Sequence, residues 1–162
     1  MKQFVARHQS PQTLRLSLIA GAGGLLAIAM LGVLSRYVNS PFIMAPFGAS
    51  CVLLFSAPAN PLSQPANVIG GHLTATLVGL ITRLVLPNEW WAVAIAVGLA
   101  ISIMSALRVT HPPAGADPLV VFAENPGFEF LLMPVLTGAL LLAAFATIYH
   151  RCTGGLYPIR KN

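Results

Sequence analysis

The sequence predicts an all-α polytopic membrane protein of four full transmembrane helices and two short proline-started half-helices, arranged as an internal two-fold repeat. Three observations carry this expectation. The 162 residues are 56% hydrophobic and 8% charged, whereas soluble domains run near 45–50% apolar with about a quarter charged. Uncharged stretches such as Leu16–Ser35 are long enough to span a bilayer at about 20 residues per helix. A proline-led motif also recurs at a fixed offset. The whole chain, 1–162, is read as a single membrane domain. The net charge of +5 comes from basic residues scattered at segment ends, where topology puts them, and does not point to nucleic acid.

The elements follow in order. Met1 to Arg15 is basic and free of acid. The apolar run after it exceeds the roughly 7–15 residues of a signal-peptide core, so it is expected to be a retained first helix. That first span is Leu16 to Tyr37, rich in glycine and closed by Arg36. The second is Asn67 to Leu86, with Gly71, Ala75 and Gly79 as a small-residue stripe for helix packing. Trp90 and Trp91 open the third, which runs to Arg108 with a stripe of Ala92, Ala96 and Ala100. Phe128 to His150 is the fourth, closed by Arg151. Two apolar pieces are left, Phe42–Ala57 and Pro113–Glu124. At 1.5 Å per residue they reach roughly 24 and 18 Å, short of a hydrocarbon core of about 30 Å. His8 and His150 stand at segment ends and are expected to be solvated. Cys51 and Cys152 lack any metal or disulfide spacing and read as free thiols.

The two short pieces resemble each other. Pro46-Phe47-Gly48-Ala49-Ser50 lies over Pro113-Ala114-Gly115-Ala116-Asp117 at an offset of 67 positions, and Val68-Ile69-Gly70-Gly71 lies over Val135-Leu136-Thr137-Gly138 at the same offset. The expected units are residues 16–86 and 90–151. Duplicated units with proline-broken segments are how secondary transporters build a midplane site. Two helix N-termini near Pro46 and Pro113 would aim unpaired N–H groups and positive dipole ends at one point, which would suit an anion. Re-entrant half-helices give four crossings, with Arg36 and Arg108 outside. Crossing half-helices give six, with inverted repeats, Arg36 and Arg83 outside and Arg108 inside. Segment length favours four, and both arrangements put the two tails in the cytoplasm.

The densest chemistry is Thr110-His111-Pro112-Pro113-Ala114-Gly115-Ala116-Asp117-Pro118. Pro112 and Pro113 fix an extended entry, and Gly115 with Ala116 leaves the backbone open to a ligand. His111 and Asp117 are ionisable groups at membrane depth and so functional candidates; Asp117 could instead cap the helix or pair with Arg108 or His111. Ser50 stands where the second unit has Asp117, breaking any two-fold symmetry of the site. This stretch resembles the HPP integral membrane proteins, named for the tripeptide that stands here as His111-Pro112-Pro113. The likeness extends to Pro46-Phe47-Gly48-Ala49-Ser50, Ala57-Pro58, Asn60-Pro61, Gln64-Pro65 and Gly70-Gly71-His72. The resemblance implies a small protein of four predicted spans, with members in cyanobacteria and chloroplasts implicated in nitrite transport.

Arg36 and Arg108 fit an anion, since a guanidinium grips an oxyanion with two parallel hydrogen bonds; each could equally be an interface anchor. His72 could line the cavity and carry a proton with the anion, or be a packed structural residue. Asn67 could donate to a ligand, and Gln64 is expected to cap the helix start. No nucleophile elbow, phosphate loop, CxxC or HExxH is present, so neither an enzyme nor a cofactor is expected. His72, His111 and Asp117 have no diagnostic metal spacing. The expected function is a transporter or channel for a small inorganic anion, nitrite first, in a bacterial inner membrane. Its expected partners are the anion, the lipid bilayer and further copies of the chain as a homo-oligomer held by the small-residue stripes. The competing reading is a non-transporting scaffold or sensor subunit. A cation pathway on Asp117, Glu124 and Glu129 is a third.

Overall fold

Thr13 Oγ1 accepts the Leu16 N–H at 3.3 Å and starts helix α1, Leu14–Val38, which Asn39 ends in the left-handed conformation at φ 50°. The computed structural model describes residues 3–159, and among these the chain is all helix, turn and loop, with no strand. Five more helices follow: α2 (Ala45–Ser56), α3 (Pro65–Val85), α4 (Trp90–Ala106), α5 (Asp117–Glu124) and α6 (Thr137–Thr153). A 3-10 turn, Pro112–Ala116, leads into α5, and a π-helical stretch, Leu131–Leu136, leads into α6. Three runs are long and apolar enough to cross a membrane: Leu14–Val38, Pro65–Val85 and Leu131–Thr153. Helices α2 and α4 are apolar but shorter.

The expected last span is broken near its start. Met133 has φ −138° and ψ 114°, because the residue before a proline is pushed out of the helical region and Pro134 has no N–H to give. The second short helix also starts later than expected. Pro113 lies in the 3-10 turn, and α5 begins at Asp117 with Pro118 in its first turn.

Helix α3 is the pillar. Its Gly71, Ala75 and Gly79 are all buried, and a β-carbon at Gly79 would stand 3.0 Å from Pro118 Cα on α5. Ala92, Ala96 and Ala100 of α4 are fully buried as well. The stripes expected to hold an oligomer are therefore consumed inside the chain, where small residues let helix backbones approach. Helix α1 buries only Gly23, Ala27 and Leu31, a stripe of four-residue spacing, while Leu18, Leu25 and Val33 face outward. The main core lies between α1, α2, α3 and α6 and is filled by Leu31, Phe42, Phe47, Leu54, Val68, Val135 and Leu142.

The contacts at helix ends fix the direction of each helix. Gln12, before α1, donates to the Ser56 carbonyl at the end of α2. Asn67 at the start of α3 donates to the Thr110 carbonyl beyond α4. Tyr157, beyond α6, donates to the Ser63 carbonyl, and the Ile159 N–H to Gln64 Oε1. These groups all belong to one end of the bundle. At the other end, Met44 and Ala45 share a cavity with Glu124, Pro126 and Phe130, and Arg83 lies over the Phe122 ring. The six helices thus run in alternating directions. Within the bundle, α2 and α5 each run from one end to the other. The stretches 39–44, 57–64 and 107–116, which are loop and 3-10 turn, add to the length that each short helix covers.

Candidate functional site

Helix α2 carries Ser50 one turn after Pro46, and Ser50 Oγ lies 3.0 Å from the Pro46 carbonyl oxygen. The same oxygen lies 2.8 Å from His72 Nε2 on α3 and 2.9 Å from His111 Nε2, the residue before the 3-10 turn. His72 Nδ1 is 2.8 Å from Asp117 Oδ2 at the start of α5. His111 Nδ1–H donates to the Leu62 carbonyl at 2.8 Å. One continuous chain of hydrogen bonds therefore runs from Asp117 through His72, Ser50 and His111 to Leu62. Ser50, His72 and His111 are completely buried, and Asp117 is 1% exposed.

Local sequence places each member. His111 precedes a proline and takes the extended conformation, φ −134° and ψ 104°, that such residues favour. Gly71 has no side chain where His111 approaches α3. Asn67 Nδ2 holds the Thr110 carbonyl at 2.9 Å and so fixes the extended segment that delivers His111. Asp117 sits in the first turn of α5, where the helix dipole favours a carboxylate. The position at which an external anion was expected is thus taken by the chain's own carboxyl group. The Phe47 ring meets His72 edge-on at 5.1 Å between centroids. Two buried atoms in this region have no hydrogen-bond partner, Asp117 Oδ1 and Thr76 Oγ1.

Among the expected site residues, Ser50, His72, His111 and Asp117 come together, with Pro46 and Pro113 buried beside them. Asp117 pairs with His72, in place of the Arg108 or His111 considered from the sequence. Gly48 opens on a groove of about 360 Å³ between α1 and α2. Ala49 and Pro112 are exposed, and Gly115 and Ala116 are half-buried. Arg36 and Arg108 are exposed, at the far end of α1 and just beyond α4 respectively. These are opposite ends of the bundle, so the two guanidinium groups cannot grip one ion. Arg108 lines a cavity of about 760 Å³ with Leu62, Asn67 and Thr110. The cavity at the other end, about 490 Å³, is lined by Met44, Ala45, Val120 and Glu124. Glu129 is exposed.

Two further expectations fail. His150 is buried and donates Nε2–H to the Leu54 carbonyl at 2.8 Å. Gln64 makes no cap bond to α3; its amide nitrogen donates to the Pro58 and Asn60 carbonyls, each at 2.9 Å. Sequence reasoning also missed Thr76, although it stands four residues after His72 on the same helix face, and it missed the Leu62 carbonyl, which no pattern signals. Among the described residues, no group of three or more His, Cys, Asp or Glu side chains is arranged to hold a metal ion.

Comparison with known proteins places the chain in a family. Two proteins of Dictyostelium discoideum, each described as a transmembrane protein, are similar to the chain. One is 33% identical over 82% of this chain and 50% of its own length. The other is 37% identical over 78% of this chain and 44% of its own length. The chain therefore spans about half the length of these relatives. No solved structure matches it. The model of the HPP transmembrane region matches residues 9–158, and the chain belongs to that family of membrane proteins.

Proposed function

We propose that the chain is a membrane transporter or channel for a small inorganic anion, with nitrite, which the sequence resemblance implies, as the first candidate. The observation that carries the reading is the buried Asp117–His72–Ser50–His111 chain, set between two cavities that open at opposite ends of the bundle. Ionisable groups at membrane depth are costly and mark pathways for ions and protons. Leu62, whose carbonyl accepts from His111, lines one cavity, and Ala45, next to Pro46, lines the other.

The proposed architecture is two inverted units, residues 16–86 and 90–151, each a long, a short and a long helix. Because the helices alternate in direction, the second triplet runs opposite to the first, as inverted-repeat transporters do. Arg7, Arg15, Arg108 and Arg151 belong to the end of the two tails, and Arg36 and Arg83 to the other. The positive-inside rule then makes the tail end cytoplasmic. Assembly as a homo-oligomer is part of the proposal. With the small-residue stripes used internally, it would form through outward faces such as that of α1, and cross-linking in native membranes tests it.

The scaffold reading draws on one observation: most polar atoms of the cluster are satisfied by one another. Anion flux decides between the two. Purified protein in liposomes is expected to raise nitrite entry above protein-free vesicles, with nitrate, formate, bicarbonate and chloride compared. Entry equal to that of empty vesicles for all five anions would leave the scaffold.

A further inference from the structure

The cluster's hydrogen-bond geometry fixes how many protons it holds. The Leu62 carbonyl can only accept, so His111 Nδ1 carries a hydrogen, and a neutral His111 presents a bare Nε2 to Ser50. Around Ser50 Oγ stand His111 Nε2, His72 Nε2 and the Pro46 carbonyl, all within 3.0 Å. The serine has one hydrogen to give. With Asp117 ionised and His72 neutral, His72 Nδ1–H would donate to the carboxylate and its Nε2 would be bare as well. One hydroxyl hydrogen would then face three acceptors. At least one imidazole lone pair would point at the serine's own lone pairs inside 2.9 Å, in a fully buried site where unpaired polar groups are costly.

A single further proton removes the conflict. We infer that the cluster is a proton-binding site, holding one proton more than an ionised Asp117 and two neutral imidazoles and keeping it on the Asp117–His72 pair. Every contact among the four side chains, and the one to Leu62, then has a donor. Asp117 and His72 share a proton between Oδ2 and Nδ1, His72 Nε2–H donates to Ser50 Oγ, Ser50 O–H donates to His111 Nε2, and His111 Nδ1–H donates to the Leu62 carbonyl. The cluster as a whole is neutral, as deep burial requires.

The same chain is a relay. Transfer of the Nε2 proton of His72 to Ser50 Oγ, together with transfer of the serine hydroxyl proton to His111 Nε2, breaks and forms two bonds to hydrogen and moves no heavy atom. Ser50 gains one proton and loses one. His72 is left bare at Nε2, and the excess proton rests on His111, beside the Leu62 carbonyl and the cavity of the tail end. No other described titratable side chain of the packed elements faces the cluster. Cys51 lines the α1–α2 groove, Arg83 covers Phe122, Glu124 faces the opposite cavity and His150 serves Leu54. The inference deepens the transport reading, on which it rests for its cargo alone, by naming the co-transported ion and its site.

The test is solid-state NMR of the full chain in lipid bilayers, with 15N-labelled histidine, no nitrite present and neutral pH. Uniform 13C,15N labelling assigns the four histidines through their different preceding residues, Arg7, Gly71, Thr110 and Tyr149. His72 is expected to carry hydrogen on Nε2, and His111 on Nδ1 with a bare Nε2. In Asp117→Asn, the amide N–H can donate to His72 Nδ1 as a protonated carboxyl does, so the Nε2 hydrogen of His72 should persist. A bare His72 Nε2 in the native protein overturns the inference, and that spectrum decides the matter even where the variant does not fold. Because no anion is present, failure here leaves the anion pathway untouched, and absence of anion flux leaves the bound proton in place.

Discussion

A β-carbon at Gly71 would stand 2.6 Å from the Cβ of His111 and 3.0 Å from the Val109 carbonyl oxygen. The HPP turn can reach Ser50 only because position 71 has no side chain. Gly48, two residues before Ser50, has nothing within 4 Å of its missing β-carbon.

Gly71→Ala is therefore expected to push His111 away from Ser50, with loss of about 1–3 kcal/mol of stability from overpacking. Gly48→Ala should be neutral or stabilising by up to about 1 kcal/mol, since alanine is the better helix former. Thermal unfolding of both variants in detergent reads the difference. Equal melting temperatures would mean that the HPP turn does not need this close approach.

Ser50→Ala removes the shared partner of two imidazole nitrogens. A loss of about 1–3 kcal/mol is expected, the cost of leaving buried groups unpaired. Ser102→Ala, which removes only an exposed hydroxyl bonded to the Gly98 carbonyl, should change stability by less than about 0.5 kcal/mol. If the two substitutions cost the same, the buried chain contributes nothing to holding α2, α3 and the HPP turn together.

His150→Ala should also destabilise, by about 1–3 kcal/mol, because it leaves the Leu54 carbonyl without its Nε2–H donor. The Leu54 carbonyl lies in the last turn of α2, so hydrogen exchange at 52–57 should quicken while 65–85 stays protected. Uniform exchange across both would contradict a local role.

Arg108 holds a left-handed backbone, φ 60°, a conformation glycine adopts without strain. In Arg108→Gly, relief of that strain and the extra freedom of the unfolded chain nearly cancel, so stability should change by less than about 1 kcal/mol. Anion flux should nevertheless fall several-fold, because the positive lining of the tail-end cavity is gone. Arg36→Gln, whose side chain is exposed at the other end, should keep most of its flux. The reverse ranking would place the entrance at the Arg36 end.

The proposed six crossings put positions 36 and 108 on opposite sides of the membrane, whereas re-entrant short helices would put them on one. In a Cys152→Ser background, where the remaining native thiol Cys51 is buried, a membrane-impermeant thiol reagent should reach Arg36→Cys and Arg108→Cys from opposite faces. Labelling of both from one face would restore four crossings.

The long helices were legible because a run of apolar side chains such as Leu16–Ser35 has only one stable use in a bilayer. Ser50, His72, His111 and Asp117 stood out as polar groups in apolar surroundings. Their pairing did not. Asp117 is 45 positions from His72, and only the close packing of α3 against α5 brings them together. Arg36 and Arg108 were grouped because each closes a span before a proline-led segment, a local pattern with no information about which end of the bundle it faces. The length argument for re-entrant segments counted helical residues alone, whereas loop and 3-10 turn beside each short helix add to the distance it covers. His150 was misplaced because α6 continues past it to Thr153, so that what looked like an end is interior.

The carboxyl-terminal segment grips the turn between α2 and α3 twice, through Tyr157 on the Ser63 carbonyl and through the Ile159 N–H on Gln64. Burial pushes the Tyr157 hydroxyl above its usual range, so it stays a donor through the whole physiological span of pH. The same turn supplies the Leu62 carbonyl that holds His111. Residues 157–159 and the imidazole of His111 are thus moored to the same three consecutive residues, Leu62, Ser63 and Gln64, so freeing that segment by Tyr157→Phe should loosen the hold on His111 as well.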